Sequence, residues 1–277
     1  MIGILRPVNL LLLLAVQFTL WYKLCTPNYD ISTLLSFFLF SFSVICTAAA
    51  GYVINDIIDT KTDLINKNGK VYIDIKISKK NAILLYYLLN IFALASAIIL
   101  LDFVIISFTV VAIFLLYIYS KSLKSTVLIG NMTIALLSAL PVLEIYYFFK
   151  PLNVDNEFFA YALFAFLTTL LREIVKDKED SNGDLKSGIK TLANTISDSK
   201  LKMVLLTVNS ALLICLVGFL FFLNDFTMLT FWVYMVIMIL PALLIFVLIY
   251  KLKNHTYSRL SLFIKVYMFL GLIRLWI

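Results

Sequence analysis

Charged residues are scarce in this chain, and so are the residues from which many catalytic and metal sites are built. Only 14% of the 277 residues are charged and 62% are hydrophobic, whereas a soluble domain carries about 25% charged residues. The single histidine, His255, argues against a Ser-His-Asp triad and against a metal site with several histidine ligands. Three cysteines lie in or beside apolar runs without metal-ligand spacing, so we expect buried thiols and no disulfide framework. They are Cys25, Cys46 and Cys215.

Apolar runs, each long enough to cross a bilayer core of about 30 Å, recur along the whole chain, and the mean hydropathy is +1.01. They predict an all-α, polytopic membrane protein: a bundle of about nine transmembrane helices with a polar cavity that faces the cytoplasm. We expect residues 1–277 to form a single domain. The apolar run after Arg6 is too long for a signal peptide, so we expect no cleavable signal. The predicted spans are 8–26, 33–54, 81–101, 103–119, 127–148, 157–175, 202–223, 228–250 and 258–276.

Basic residues follow every second predicted span. The connections after spans two, four, six and eight carry most of the lysines, and the other connections hold little basic charge beyond Lys23 and Lys150. The positive-inside rule therefore places the N-terminus and the basic loops in the cytoplasm. This topology accounts for the net charge of +7, and we expect no nucleic-acid partner. We expect an integral protein of the cell (inner) membrane whose active face is cytoplasmic.

Two groups of acidic residues interrupt the apolar sequence, at the predicted cytoplasmic ends of spans two and six. The first is Asn55, Asp56, Asp59 and Asp63, and the second is Arg172, Glu173, Asp177, Asp180 and Asp184. In each group three acids stand at i, i+3 and i+7, so on a helix they share one face. Ionisable groups in a membrane bundle are costly and by default mark a functional site. Like charges stacked on one face are tolerated where a cation lies between them.

The chemical type of these ligands indicates which cation they would bind. Carboxylate and amide oxygens suit Mg²⁺, which usually keeps several waters and bridges to substrate phosphates. Two such rows could hold Mg²⁺ against a pyrophosphate. Four lysines on the same predicted face could reach phosphate oxygens, or they are ordinary positive-inside lysines: Lys67, Lys70, Lys121 and Lys124. Asn131 either lines the cavity or bridges helices, and Lys265, inside the ninth span, needs a partner such as a substrate anion or a headgroup.

The motif N-D-x-x-D-x-x-x-D after the second span, and D-x-x-x-D followed by G-I-K-T after the sixth, resemble the UbiA superfamily of intramembrane prenyltransferases. Residues 172–184, which begin with Arg172, and segments 119–124, 129–131 and 261–268 are similar to its digeranylgeranylglyceryl phosphate synthase branch. The resemblance implies that Asn55, Asp59, Asp63, Asp180 and Asp184 bind the metal, with Asp56 and Asp177 as supporting acids. It also implies substrate binding by residues of these segments. Residues 66–76 depart from the family pattern, since prolines are missing and lysines replace arginines, which removes the bidentate fork.

We therefore expect Mg²⁺-dependent transfer of a prenyl group from a prenyl diphosphate to a lipophilic acceptor. The resemblance points to a (geranylgeranyl)glyceryl phosphate-type alcohol of ether-lipid synthesis, and an aromatic quinone or haem precursor is the alternative acceptor. An alcohol acceptor requires a base, for which Asp56 and Glu173 are candidates. A cation transporter is the alternative of another class, although transporters place ionisable residues near the bilayer midplane and these acids lie at one membrane edge. We expect contact with membrane lipid and no obligate protein partner.

Overall fold

The computed structural model describes residues 2–25, 29–60, 64, 71–151, 154–221, 227–252 and 256–276. These residues contain no β-strand and only one isolated bridge, between Ile73 and Ile77, so the all-α prediction is confirmed. The α-helices are α1 (Pro7–Leu24), α2 (Ile31–Ile58), α3 (Lys79–Ile99), α4 (Phe103–Lys121), α5 (Ile129–Phe149), α6 (Asp155–Lys186), α7 (Leu192–Thr195), α8 (Asp198–Leu220), α9 (Met228–Tyr234), α10 (Leu240–Tyr250) and α11 (Tyr257–Ile273). Short 3₁₀ helices cover Ile2–Leu5, Leu123–Ser125 and Arg274–Trp276.

Eight helices in the described part of the chain are long and apolar enough to cross a membrane. They are α1 to α6, α8, and the continuous helix Met228–Tyr250 formed by α9, a π-helical turn and α10. The ninth predicted span corresponds to α11, which has 17 residues. The prediction of a polytopic membrane protein is therefore confirmed.

The chain divides into two compact units. The first contains Met1–Lys124 and Glu144–Pro151, and the second contains Ser125–Leu143 and Leu152–Ile277. Helix α5 therefore contributes its first part to the second unit and its last residues to the first.

In the first unit, α2 packs against α3 and α4 through small and polar residues. A Cβ atom on Gly51 would lie 2.8 Å from the side chain of Leu116, so a larger residue here would displace that leucine. The Ser43 hydroxyl donates to the carbonyl of Ala93 at 2.9 Å and lies 3.2 Å from the hydroxyl of Thr109. Lipid chains are as apolar as the helix surfaces, so tight packing and hydrogen bonds between helices hold such a bundle together.

The 3₁₀ helix Ile2–Leu5 packs at the end of α2. Its Ile4 joins a hydrophobic cluster with residues of α2, of the turn that precedes α3, and of α3 itself: Val53, Ile73, Ile77 and Ala82. This cluster holds the following residue pair, Arg6 and Pro7, beside the last turns of α2, where the first acidic group lies.

In the second unit, α6 is the central helix. Leu171, Ile174 and Val175 are fully buried and have the i, i+3, i+4 spacing of a core-facing helix. They belong to one core with residues of α8, α10 and α11. A Cβ atom on Gly271 of α11 would lie 2.6 Å from the ring of Phe164, so α11 also approaches α6 closely through a glycine.

The helix Met228–Tyr250 contains a π-helical turn at Met235–Ile239. Pro241, which has no N–H to donate, follows this turn. The hydroxyl of Tyr267 donates to the carbonyl of Met238 at 2.8 Å. A side chain of α11 thus supplies a donor to a backbone carbonyl inside the wide turn.

Three sequence expectations are wrong in detail. Helix α6 continues to Lys186, beyond the predicted end of span six at residue 175, because good helix formers such as Lys and Glu extend the backbone pattern after hydropathy falls. The second acidic group therefore lies on a helix, as its i, i+3, i+7 spacing predicts. Helix α2 ends at Ile58, so Asp59 follows the helix. Among the three free cysteines Cys46 is buried, whereas Cys25 and Cys215 are only partly buried.

Candidate active site

The first acidic group lies where α2 ends. Asp56 and Asp59 are 6% and 5% exposed, and Asn55 is partly buried. The backbone N–H of Asp59 still donates to the carbonyl of Asn55 at 2.8 Å. The hydroxyl of Thr60 donates to the carbonyls of Asp56 and Ile57, each at 3.0 Å, and so satisfies acceptors that the end of a helix leaves open. These contacts fix the two carboxylates at the helix end.

A basic side chain contacts each buried carboxylate of this group. A guanidinium nitrogen of Arg6 donates to Asp56 at 2.8 Å, and its Cζ atom lies 4.8 Å from the centre of the Tyr52 ring. The ammonium of Lys124 donates to Asp59. Burial of a charge is tolerated when the charge is paired and hydrogen-bonded, and these contacts meet that requirement.

Arg6 is a residue of this site that the sequence did not reveal. It precedes the first predicted span, where a basic residue is explained by topology alone. Its φ of 51° lies in the left-handed region, which is uncommon for a non-glycine residue, and strained residues of this kind cluster at functional sites. That backbone angle cannot be read from the sequence.

Three predicted residues of this region, Asp63, Lys67 and Lys70, lie outside the described residues. Lys121 is exposed, and its ammonium lies 5.7 Å from the centre of the Tyr117 ring of its own helix. Of the two lysines that follow the fourth predicted span, the structure therefore brings Lys124 to the acidic group.

The second acidic group lies on the last turns of α6. Asp177, Asp180 and Asp184 have i, i+3, i+7 spacing on one continuous helix, which places them on one face. Asp184 is 4% exposed, and Asp180 is partly buried. Glu173 and Asp184 lie one and two helical turns from Asp177 on this helix, and the charges of both act on it.

Neighbouring polar groups orient this second group. The amide of Asn131 donates to a carboxylate oxygen of Asp177 at 2.7 Å, and the guanidinium of Arg172 donates to Glu173 at 2.9 Å. Asn131 is buried. Within this unit, a residue of α5 therefore orients a carboxylate of α6 through this hydrogen bond. The charge of Arg172 also acts on Lys265 of α11. Lys265 therefore lies within electrostatic range of the Arg172–Glu173 pair.

The turn after α6 is shaped by the backbone carbonyl of Asp184, which accepts from Ser187 at 3.1 Å and from Ile189 at 2.8 Å. Between them, Gly188 has a φ of 73°, a left-handed conformation that suits glycine. Asn194 then accepts from the backbone N–H of Thr191 at 2.9 Å at the start of α7. The G-I-K-T segment is thus a helix-terminating turn that leads into a short capped helix.

The donor set fits a hard divalent cation. Each group presents carboxylate oxygens, and the first adds the Asn55 amide, which are ligand types that Mg²⁺ accepts. Among the described residues, no group of three or more Asp, Glu, His or Cys side chains is close enough to hold a metal ion. Asp63, which the sequence analysis includes in the first row, is not among those residues.

The family relationship is clear at the sequence level. The family model of the UbiA prenyltransferase family matches residues 15–273. The digeranylgeranylglyceryl phosphate synthase of Saccharolobus solfataricus is 40% identical over 156 residues, which cover 55% of this chain and 54% of that protein. The enzyme of the same name from Methanosphaera stadtmanae is 32% identical over 278 residues, covering 98% of this chain and 94% of that protein. The chain thus spans about half of the first relative in the match and nearly all of the second.

Solved structures share the fold. The structure of a digeranylgeranylglyceryl phosphate synthase has a TM-score of 0.76 and 25% identity, and the match covers 99% of this chain and 95% of that chain. A UbiA homolog from Archaeoglobus fulgidus, bound to GPP and Mg²⁺, has a TM-score of 0.67 and 17% identity over 100% of this chain and 99% of that chain. With a family match and a relative that both extend over nearly its whole length, the chain belongs to the UbiA prenyltransferase family.

Proposed function

We propose that this prenyltransferase requires Mg²⁺ and transfers a prenyl group from a prenyl diphosphate to the hydroxyl of a prenylglyceryl phosphate. The observation that carries the proposal is the pairing of buried carboxylates with cations: Asp59 contacts Lys124, and Asp56 contacts Arg6. Acids that bind a metal and bases that bind a diphosphate must be neighbours at such a site. The relatives named digeranylgeranylglyceryl phosphate synthase support the choice of acceptor.

In the proposed reaction, the allylic C–O bond of the prenyl diphosphate breaks and its electron pair goes to the diphosphate oxygen. A new C–O bond forms to the hydroxyl oxygen of the acceptor, and the hydroxyl proton passes to a base. Mg²⁺ would supply the positive charge that stabilises the departing diphosphate. We assign its ligands to Asn55, Asp59, Asp63, Asp180 and Asp184.

The basic residues have a separate task in this proposal. When the Asp59 carboxylate binds metal, Lys124 can exchange its contact with Asp59 for a phosphate oxygen. The carboxylate then faces the metal ion and the ammonium faces the phosphate, so each charge keeps a partner of opposite sign. Arg172 and Lys265 form the second cationic position, with Lys67, Lys70 and Lys121 as further candidates. Asn131 holds Asp177 in place through the amide hydrogen bond.

The base that accepts the hydroxyl proton is one of three acids. Asp56 and Glu173 are each engaged by an arginine, and Asp177 is engaged by a neutral amide. Replacement of each by its amide, one at a time, separates them. The variant that keeps prenyl diphosphate binding but loses transfer identifies the base.

We also propose that both acidic groups face the cytoplasm, that the protein resides in the cell membrane, and that the whole chain works as one prenyltransferase domain. The distribution of basic residues supports the orientation. Single cysteines introduced at exposed Lys190 and at exposed Lys150 in a variant without its natural cysteines test it. In intact cells an impermeant thiol reagent should label the second position and spare the first, and the reverse pattern would contradict the orientation.

The acceptor is tested with purified protein, Mg²⁺ and labelled geranylgeranyl diphosphate. Geranylgeranylglyceryl phosphate, 4-hydroxybenzoate and dihydroxynaphthoate are offered in parallel. We expect transfer to the glyceryl phosphate alone, loss of transfer on chelation, and recovery with Mg²⁺. Transfer to an aromatic acceptor instead would replace the proposed acceptor, and ion flux through liposomes without any transfer would replace the enzyme by a transporter.

Matched variants test the metal ligands. Asp59→Ala and Asp184→Ala should each abolish turnover and leave the protein folded. Asp198→Ala is the control, because Asp198 lies outside both groups, pairs with Lys178 at 2.6 Å and has a half-exposed side chain. Full turnover in either of the first two variants would remove that residue from the proposed metal site.

A further inference from the structure

A pocket in the second unit lies far from the acidic group at the end of α6. It has a volume of about 310 Å³, at the lower end of the range of roughly 300–1,000 Å³ for ligand sites. Helices α6, α8 and α9 and the π-helical turn line it, and Tyr161 belongs to its wall. Tyr161 and Asp180 are on the same helix, and at about 1.5 Å per residue they are roughly 28 Å apart. The pocket is therefore separate from the proposed active site of this unit.

The walls of the pocket are apolar, and its mouth opens towards the outside of the bundle. Phe159 and Leu163 line it and are 49% and 42% exposed, respectively. In a protein whose helices cross a membrane, the molecules that meet such a mouth are lipids. Met238, which also lines the pocket, lies in the π-helical turn, a feature frequently found at functional sites.

One buried polar atom in the wall lacks a well-formed hydrogen bond. Tyr161 is 8% exposed, its hydroxyl makes no hydrogen bond of good geometry with the described residues, and the guanidinium of Arg274 is the polar group that reaches it. Buried polar atoms in native proteins are almost always satisfied by protein, water or ligand. A hydroxyl in the wall of an apolar pocket is thus placed to bond a polar group of the molecule that fills it.

Charges of both signs lie near this hydroxyl. Glu157 precedes Tyr161 by one turn on the same helix, the charges of Arg274 and Glu157 both act on Tyr161, and both side chains are partly buried. The guanidinium of Arg274 also lies 5.9 Å from the centre of the Tyr234 ring, another residue of the pocket wall. A cation, an anion and a hydroxyl beside an apolar cleft are complementary to a headgroup that carries one phosphate and one amine.

We propose that this pocket binds a membrane phospholipid with a phosphoethanolamine headgroup. Its phosphate contacts Arg274 and the hydroxyl of Tyr161, its ammonium contacts Glu157, and one of its chains fills the cleft. A phosphoglycerol headgroup lacks the group that Glu157 would bind, and a phosphocholine headgroup lacks N–H donors. The site does not depend on the proposed acceptor or metal of the prenyl transfer reaction.

The test measures lipid binding to the delipidated full-length protein by native mass spectrometry. Lipids with phosphoethanolamine, phosphocholine or phosphoglycerol headgroups and identical chains are titrated separately. We expect the first to bind most tightly. Tyr161→Phe and Arg274→Gln should each weaken its binding about tenfold, and Glu157→Gln should remove the preference over phosphoglycerol. Tyr87→Phe is the matched hydroxyl deletion, at a tyrosine that is 59% exposed and lies in the other unit, and it should change nothing.

The cleft itself is tested at Gly218, which lines the pocket and where an added Cβ would meet no atom within 4 Å. Gly218→Leu should reduce binding about tenfold, and Gly218→Ala should bind normally. Prenyl transfer and thermal unfolding of each variant establish that it is folded. Three outcomes would each overturn the proposal: equal binding of the three headgroups, binding unaffected by Tyr161→Phe and Gly218→Leu, or a preference for phosphoglycerol. Each outcome counts whether or not the wild-type protein transfers a prenyl group.

Discussion

Replacement of Lys124 by methionine removes the positive charge beside Asp59 and keeps a side chain of similar length. The carboxylate of Asp59 then stays at the end of α2 with a side-chain exposure of only 6%. An ionised group that loses its partner but stays buried carries an uncompensated desolvation cost. We therefore expect Lys124→Met to destabilise the first unit.

The exposure of the two partners sets the size of this effect. The side chain of Lys124 is 26% exposed, so the pair is neither fully buried nor on the surface. Breaking a buried pair costs about 3–5 kcal/mol, and an exposed pair contributes about 0–1 kcal/mol. A value between these limits, about 2 kcal/mol, is expected, which corresponds to a fall in the unfolding temperature of roughly 4–8 °C.

The control is Lys121→Met, three residues earlier in the chain. This side chain is exposed and contacts only the Tyr117 ring among the described residues, so its removal should shift stability by less than about 0.5 kcal/mol. Thermal unfolding of the two purified variants in the same detergent, at the same heating rate, measures the difference. Equal unfolding temperatures would refute the inference that the Lys124–Asp59 pair stabilises the end of α2.

Three further predictions concern other parts of the chain. Asn131→Ala removes the amide that holds Asp177 and should lower prenyl transfer about 10–100-fold in a protein that still folds; unchanged transfer would exclude the positioning role. Gly271→Ala, whose Cβ would lie 2.6 Å from an aromatic ring, should cost about 1–3 kcal/mol of stability, whereas Gly218→Ala should cost far less. Equal unfolding temperatures of the two variants would contradict the close packing at Gly271. Hydrogen bonds, first of all from a backbone N–H of the first turn of α2, hold the pKa of Asp30 below its ordinary value. The ionised Asp30 carboxylate therefore stabilises the folded protein at pH values above its ordinary pKa, and this stabilisation is lost as pH falls through the lowered pKa. Asp30→Ala should reduce the unfolding temperature at neutral pH and not in acid; the same reduction in acid would contradict this.

Hydropathy alone predicted most of the fold, because a segment that crosses a bilayer must be apolar over its whole length. Eight of the nine predicted spans correspond to helices that are long and apolar enough to cross a membrane. The end of the sixth span was less predictable. Arg172 marks where hydropathy falls, but helical hydrogen bonds continue to Lys186, since a charged sequence outside the apolar region can remain helical.

The acidic groups of the candidate site were visible in the sequence, and their partners were not. Charge and spacing single out Asp56 and Asp59, because such residues are rare next to apolar spans. The contacts with Arg6 and Lys124 join residues 50 and 65 positions apart. No local periodicity encodes such a distance, so only the packing of the 3₁₀ helix Ile2–Leu5 and of α4 against α2 brings these pairs together.

The π-helical turn at Met235–Ile239 also bears on how this chain is compared with its relatives. A π-turn holds one residue more than an α-turn, so residues after it are rotated by about 100° relative to a regular helix. The turn therefore has the form of a single-residue insertion within a membrane span. Relatives that lack it should align with a one-residue gap here, and a helical wheel of the span should be drawn in two phases. Deletion of one residue from this turn is expected to yield a continuous α-helix that turns Ala242 and Ile245 away from the core.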